Sequence, residues 1–327
     1  MDSREWPVRP VVVCSRCLGF ESCRYNGQML RDDTVEALRP HVDFITPCPE
    51  ADIGLGIPRH PVRIVVKDGA QRLFQPATGE DHTEEMRRFV SGFSQGLGSV
   101  DGFILKSRSP SCGLTDVKQF RADGVSLVTG RGSGIFGSHV LSVHGGCAVE
   151  DEGRLHNGKI RDHFFRKLFT LADFRRVAAA GDAGELVDFQ ARNKLLLMAY
   201  SQAEMRRLGR IVAEQKATGL DAALKEYEEH LRKAMEKGAT YRSNINVMQH
   251  AFGYVSRELS SEERAFFLDS LEMYREGRTP LVNCLGLLRS WIVRFDVEYL
   301  AGQTYFNPYP EDLHERYDQN RSRDYWK

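Results

Sequence analysis

Near Gly158 the spacing of apolar residues changes period, and that change limits the possible folds more than any motif does. Before it, short β-branched runs recur at Arg9–Val13, Val42–Thr46, Val62–Val66, Gly102–Lys106 and Val125–Thr129. Helical stretches such as Asp32–Arg39 and Thr83–Leu97 lie between them. Strands separated by helices predict a mainly parallel sheet covered on both faces. From Ile160 to Tyr299 the pattern is almost wholly helical, with apolar residues three and four apart. Leu195, Leu196, Met198 and Ala199 make one such patch, and Val247, Ala251, Tyr254 and Val255 another. Pro280 predicts the first turn of a helix running through Phe295. The chain therefore reads as an α/β domain over residues 1–158 and an all-α domain over 159–327.

A length of 327 residues allows each half its own core. The 45 basic residues balance the 45 acidic ones, so no global field draws in nucleic acid, and any such contact must come from local patches. No apolar run reaches the roughly 20 residues that span a bilayer, and Met1–Arg9 lacks the apolar core of a signal peptide. A soluble cytoplasmic protein without a membrane partner is expected. Seven cysteines, an odd number in such a chain, argue against a disulfide framework.

The cysteines are placed rather than scattered. Cys14 and Cys17 follow the first predicted strand, Cys48 the second, and Cys112 the run Gly102–Lys106. Loops at the carboxyl ends of parallel strands converge on ligands. Three of them carrying thiols suit a soft metal or an iron–sulfur cluster, and three thiolates on four irons leave one iron open. Buried packing is the competing reading for any one cysteine and the preferred one for Cys147 and Cys284. Cys14-Ser15-Arg16-Cys17 also has the spacing of a redox pair, and a zinc site from Cys14, Cys17, Cys23 and Cys48 is a further alternative.

Pro47-Cys48-Pro49-Glu50 is expected to be a stiff, non-helical loop projecting Cys48 and Glu50. A carboxyl group beside a cluster and away from water holds its proton tightly, as a general acid or proton shuttle requires; a surface or cap carboxylate is the competing reading of Glu50. The loop from Ser107 to Gly113 offers hydroxyls, an arginine and turn-forming residues. Gly132-Ser133-Gly134-Ile135-Phe136-Gly137 matches a dinucleotide fingerprint in form, though a helix start is its preferred use. His139 and His144 are possible ligands or ordinary packing.

These motifs resemble the thiouracil desulfidase (TudS-like) family. The resemblance rests on Cys17-Leu18-Gly19 with Cys23-Arg24-Tyr25-Asn26-Gly27, and on Pro47-Cys48-Pro49-Glu50 with Gly54–Arg59. Its most specific part is Leu105-Lys106-Ser107-Arg108-Ser109-Pro110-Ser111-Cys112-Gly113. The family's opening motif usually has a second leucine, which is missing here while Cys14 is extra; spacing to Cys23 favours Cys17 as the ligand. The second half resembles the YbgA-like helical domain through Arg192–Ala199, Asn246–His250 with Gly253-Tyr254, and Tyr299–Tyr305 with Asn307-Pro308. The fused arrangement resembles desulfidases acting on 4-thiouridine in transfer RNA.

That resemblance implies a 4Fe-4S cluster on Cys17, Cys48 and Cys112, with Glu50 and Ser109 as catalytic groups of a non-redox desulfuration. Lys106, Ser107, Ser111 and Arg24 are the expected substrate contacts. Transfer RNA is the expected partner, with Arg192, Lys194, Arg206, Arg207 and Arg210 as phosphate contacts; a charged helix face is more often merely solvated. Tyr305 and Tyr309 are candidates for stacking on bases and, equally, for aromatic packing. A small thiolated pyrimidine is the alternative substrate, and a non-catalytic iron–sulfur or zinc sensor the alternative class.

Overall fold

The computed structural model describes residues 6–121 and 127–314. The chain divides into two compact units. One holds the residues up to Ala172 and the segment beginning at Asp312; the other is Asp173–Glu311.

In the first unit the order is β1 (Val11–Cys14), α1 (Asp33–Leu38), β2 (Asp43–Ile45), α2 (Pro49–Asp52), β3 (Arg63–Lys67), β4 (Ala70–Gln75) and β5 (Glu80–Asp81). Then come α3 (Thr83–Gly96), β6 (Gly102–Leu105), β7 (Val117–Phe120), β8 (Leu127–Gly132), α4 (Ile135–His144), β9 (Ala148–Asp151), α5 (Glu152–Leu155) and α6 (Gly158–Ala180), whose residues from Asp173 on belong to the second unit. One sheet has the order β2-β1-β6-β9 and is parallel throughout. Its central strands are buried on both faces, Val12, Val13, Phe103, Ile104 and Leu105 being shut off from solvent, as a covered parallel sheet requires. Gly102 has a packing reason: a Cβ there would come within 2.9 Å of the Ala148 carbonyl and 2.8 Å of Leu168.

The expected single sheet is in fact two. The run Val62–Val66 belongs to a second sheet, β5-β4-β3-β7-β8, in which only β3 and β7 run parallel. A β-branched run reveals a strand but not its neighbour, because pairing is decided across the chain. Residues 125 and 126 of the predicted run Val125–Thr129 lie outside the described residues; the strand there begins at Leu127.

In the second unit helices follow one another: α7 (Ala183–Arg192), α8 (Lys194–Tyr200), α9 (Gln202–Thr218), α10 (Leu220–Ala234), α11 (Tyr241–Val255), α12 (Ser261–Arg275), α13 (Leu281–Arg294) and α14 (Glu298–Ala301). Their starts are written in the sequence. Ser260 caps α12 in a reciprocal pair with Glu263, and Pro280 is the N-cap of α13, one residue ahead of its expected place in the first turn. The change of period at Gly158 marks the start of α6, yet Leu168 of that helix lies over Gly102 of the first unit. Periodicity locates a helix without saying which core its apolar face joins. No helix among the described residues is long and apolar enough to cross a membrane.

Candidate functional site

The order β2-β1-β6-β9 contains a switch point. The chain leaves β1 toward β2 on one side and leaves β6 toward β9 on the other, so a crevice opens beyond the carboxyl ends of β1 and β6. The loops at this edge carry Cys17, Cys48 and Cys112. The Arg16 N–H donates to the Pro47 carbonyl (3.0 Å), which ties the first cysteine loop to the second. Leu30 N–H donates to the Cys17 carbonyl (2.8 Å) and closes the loop in which Cys23 lies.

The thiols of this edge share one neighbourhood. The Cys48 thiol donates to the Cys23 carbonyl (3.8 Å), Cys17 and Cys48 both act on the Cys23 thiol, and Cys112 is close enough to Cys48 and Glu50 to feel their charge. Cys23, Cys48 and Cys112 are buried and Cys17 is half-buried. Contact with Cys17 pushes the Cys23 thiol up to about 11, and burial pushes Cys112 up to about 12. Cys48 is pushed up too, first by its hydrogen bond with Cys23 and then by burial. Crowded, desolvated thiols ionise only when a cationic centre compensates them. No group of three or more His, Cys, Asp or Glu among the described residues is arranged to hold a single metal ion. A cluster is wider than an ion and takes thiolates from loops spaced around it. The soft donor set on three loops fits an iron–sulfur group in this sense. Cys14, by contrast, ends β1 inside the core, its thiol raised by burial and by Asp32. The zinc alternative, which needed Cys14 beside Cys17, Cys23 and Cys48, loses a ligand by this placement.

Glu50 differs from its expectation in two ways. Pro49-Glu50 is helical: Cys48 is the N-cap of α2 and Pro49 occupies the first turn, where its missing N–H costs nothing. Glu50 also has a cationic partner. Arg59 donates to Glu50 Oε2 through Nε (3.0 Å) and Nη2 (2.7 Å), and through Nη1 to the carbonyls of Cys23 (3.0 Å) and Gly56 (3.1 Å). The side chains of Arg59 and Glu50 are 4% and 12% exposed. Glu50 Oε1 accepts the Ser111 hydroxyl (2.9 Å). Both carboxylate oxygens of Glu50 thus have donors. Arg59 is therefore a site residue that the sequence reading left unused within its second motif; the signal was only its place in Gly54–Arg59.

The serines of the third loop separate by role. Ser109 Oγ accepts from the N–H groups of Ser111 (3.2 Å) and Cys112 (3.1 Å). Ser111 is shut off from solvent and bonded to Glu50. Ser107 turns the other way: its N–H and hydroxyl both donate to Glu152, 2.7 Å each, and Lys106 pairs with the same carboxylate. Lys106 and its Ser107 contacts hold Glu152 below the usual carboxylate range against the opposing effect of burial. Lys106 and Ser107 are thus engaged in an internal ion-pair network. Arg24 is half-buried and lies over the Tyr25 ring at 5.7 Å.

The glycine run 132–137 starts a helix, as preferred. Gly134 is the N-cap of α4. The Gly134, Ile135 and Gly137 N–H groups donate to the carbonyls of Gly113 (2.8 Å), Pro110 (3.3 Å) and Ser111 (3.0 Å). A Cβ on Gly137 would lie 2.3 Å from the Gly113 carbonyl, and one on Gly134 2.5 Å from that of Ser111. The amides that would hold a pyrophosphate instead hold the Cys112 loop. His139 lines an open cleft of about 460 Å³ between α3 and α4, and His144 packs at 5.0 Å from the Phe103 ring.

In the second unit the expected phosphate contacts do not form one free patch. Arg192 is paired with Asp173 (2.7 Å) and Arg207 with Glu226, while Lys194, Arg206 and Arg210 are exposed. Arg206 and Arg210 stand one turn apart on α9. Tyr305 and Tyr309 are buried, Tyr305 bonding Asn244 (2.9 Å), so neither is placed to stack on a base.

Comparison with known proteins covers both units. A family model described as 2-thiouracil desulfurase matches residues 12–152, and one described as a protein of unknown function, DUF1722, matches 194–310. YbbK of Bacillus subtilis (strain 168), an uncharacterized protein, is 32% identical over 158 residues, 45% of this chain and 99% of its own. The uncharacterized YbgA of Escherichia coli (strain K12) is 29% identical over 153 residues, 46% of this chain and 90% of its own. A solved structure of a [4Fe-4S]-dependent thiouracil desulfidase, TudS, aligns over 45% of this chain and 94% of that chain, at 26% identity and a TM-score of 0.34.

Proposed function

Because the chain belongs to the 2-thiouracil desulfurase family and carries a YbgA-like DUF1722 domain behind it, we propose that it removes the sulfur of 4-thiouridine in transfer RNA. The observation that carries this reading is the meeting of Cys17, Cys48 and Cys112, with Cys23 between the first two, at the crevice beside Glu50. Cys17, Cys48 and Cys112 are the residues that would hold a four-iron cluster. Bound there, such a group would supply a Lewis acid for a thiocarbonyl sulfur.

The chain's own residues supply the rest. Glu50, held as an acceptor by Arg59 and Ser111, takes a proton from the water that attacks the ring carbon. Ser109, its oxygen fixed by two backbone N–H groups, orients the base or the water. Water adds, the carbon–sulfur bond breaks, sulfide leaves and uridine remains. Lys194, Arg206 and Arg210 are exposed cations of the helical unit that would contact phosphate.

Anaerobic reconstitution followed by turnover of transfer RNA containing 4-thiouridine tests the proposal. Thiocarbonyl absorbance should disappear as sulfide accumulates; a loaded protein that leaves the absorbance intact is not this enzyme. Cys48→Ala or Cys112→Ala should abolish cluster loading, and loading that survives either change removes that ligand from the assignment. The zero net charge favours a second reading, a free thiouracil-type base as substrate. Salt separates the two, because binding through phosphates weakens steeply with ionic strength and turnover of a small neutral base does not.

A further inference from the structure

The loop from Cys17 to Leu30 is closed at its base by the Leu30 N–H on the Cys17 carbonyl, and its tip is a tight turn. The Gly27 N–H donates to the Arg24 carbonyl (2.8 Å) and the Arg24 N–H to the Gln28 carbonyl (3.3 Å), so Tyr25 and Asn26 are the central residues of that turn. Gly27 closes it at φ +70°, where a side chain would be strained. The Arg59 N–H donates to the Tyr25 carbonyl (2.8 Å), and its guanidinium reaches the Cys23 carbonyl (3.0 Å) and Glu50 (2.7 Å). Tyr25 is therefore fixed, through its backbone, to the residue that holds Glu50. Its ring is nevertheless 43% exposed, and Met29 of the same loop and Ile57, two residues before Arg59, are exposed as well. The Arg24 guanidinium lies 5.7 Å from the ring centroid. Among the described residues neither Arg24 nor the exposed Arg31, just past the loop, has a carboxylate partner; Glu21, the acidic residue of the loop, is 3.6 Å from Arg16.

We propose that Tyr25 stacks on the base next to the thiolated nucleotide, with Arg24 on the phosphate that joins the two. The inference rests on the transfer RNA reading given above and puts an RNA contact on the catalytic unit itself. An exposed aromatic face beside unneutralised cations is the chemistry that holds single-stranded nucleic acid. A protein partner would match the exposed rings too, but the unpaired cations and the place beside Glu50 favour a polyanion whose bases enter the crevice. A base can lie on Tyr25 only when it is unstacked from its own neighbours, so the thiolated nucleotide must come from an unpaired segment.

The test is equilibrium binding of a labelled transfer RNA to the full-length, anaerobically loaded protein, with uridine in place of 4-thiouridine so that no turnover intervenes. Tyr25→Leu should weaken binding about tenfold, the loss of one stacked base, while Tyr25→Phe should stay at the parent's value. Arg24→Ala should lower the slope of log affinity against log salt by about 0.7–0.9, one phosphate contact, whereas Tyr25→Leu should keep the parent's slope. If the leucine variant does not fold, Tyr25→Trp, with its larger face, should bind more tightly than the parent, and binding no tighter overturns the proposal. Unchanged affinity in a folded Tyr25→Leu overturns it too, and leaves the exposed rings as a face for a protein. So does an equal loss in Tyr25→Phe, or a salt slope that Arg24→Ala does not move. A parent without affinity for transfer RNA at low salt overturns the transfer RNA reading itself, and is thereby distinguished from failure of the Tyr25 inference alone.

Discussion

Replacing Arg59 by alanine should destabilise the first unit by about 3–5 kcal/mol, the usual cost of breaking a buried ion pair from one side. The size follows from what is left behind. Glu50 loses both donors on Oε2 and keeps only Ser111 on Oε1, in a place where its side chain is 12% exposed. The carbonyls of Cys23 and Gly56 lose their guanidinium donor as well. Glu50→Gln leaves the complementary fault, an unpaired guanidinium whose side chain is 4% exposed. In the double variant neither charge is stranded against the other, so the sum of the single losses should exceed the double loss by about 1–3 kcal/mol. Urea unfolding with amide exchange read at β1 isolates the first unit from the helical one. A loss below about 1 kcal/mol for Arg59→Ala would mean that water reaches Glu50 freely, as at a surface pair. Strict additivity in the cycle would sink the reasoning equally, since the pairing is its whole basis.

Gly137→Ala brings a methyl to 2.3 Å from the Gly113 carbonyl, so backbone must shift; a loss of about 1–3 kcal/mol is expected, together with impaired cluster loading, and normal loading would show that the loop yields without moving Cys112. His163 is lowered to about 4, chiefly by burial and then by Lys167. Its unfolded form binds a proton near 6.5, so stability that is complete above that pH falls as pH drops toward 4, by about 3 kcal/mol in all. Unfolding free energies for the parent and His163→Gln measured at pH 7 and pH 4.5 check this; equal slopes for the two proteins would exclude His163 as the cause.

Much of the edge that carries the site was legible because the strands before Cys17, Cys48 and Cys112 are short and apolar, β1 and β6 being buried, and their ends announce themselves. The second sheet was not. β4 contains Gln71, Arg72 and Gln75, and β5 is only Glu80-Asp81, so neither has the apolar alternation that marks a strand. The helical start at Pro49 was misread by treating proline as a breaker, when its first-turn position is permitted. Pairings were invisible for a simpler reason. Arg59 reaches Glu50 across nine residues and Arg192 reaches Asp173 across nineteen, and neither spacing has a helical or strand period to betray it. Tyr305 and Tyr309 were open to stacking or packing alike, because local sequence carries no sign of what closes over them.

The helix start at Gly134 also bears on how such glycine spacings are understood. The carbonyls of residues 110–113 stand where an anion's oxygens would stand, so this chain supplies its own internal ligand to α4. A tethered ligand of this kind competes at an effective concentration on the order of millimolar, even for a flexible tether. A dissolved nucleotide would have to displace it, and displacing it would pull the Cys112 loop away from its place at the crevice. The glycine pattern shared with dinucleotide sites is therefore kept here by self-association, and occupancy by the chain itself is what makes the signature misleading.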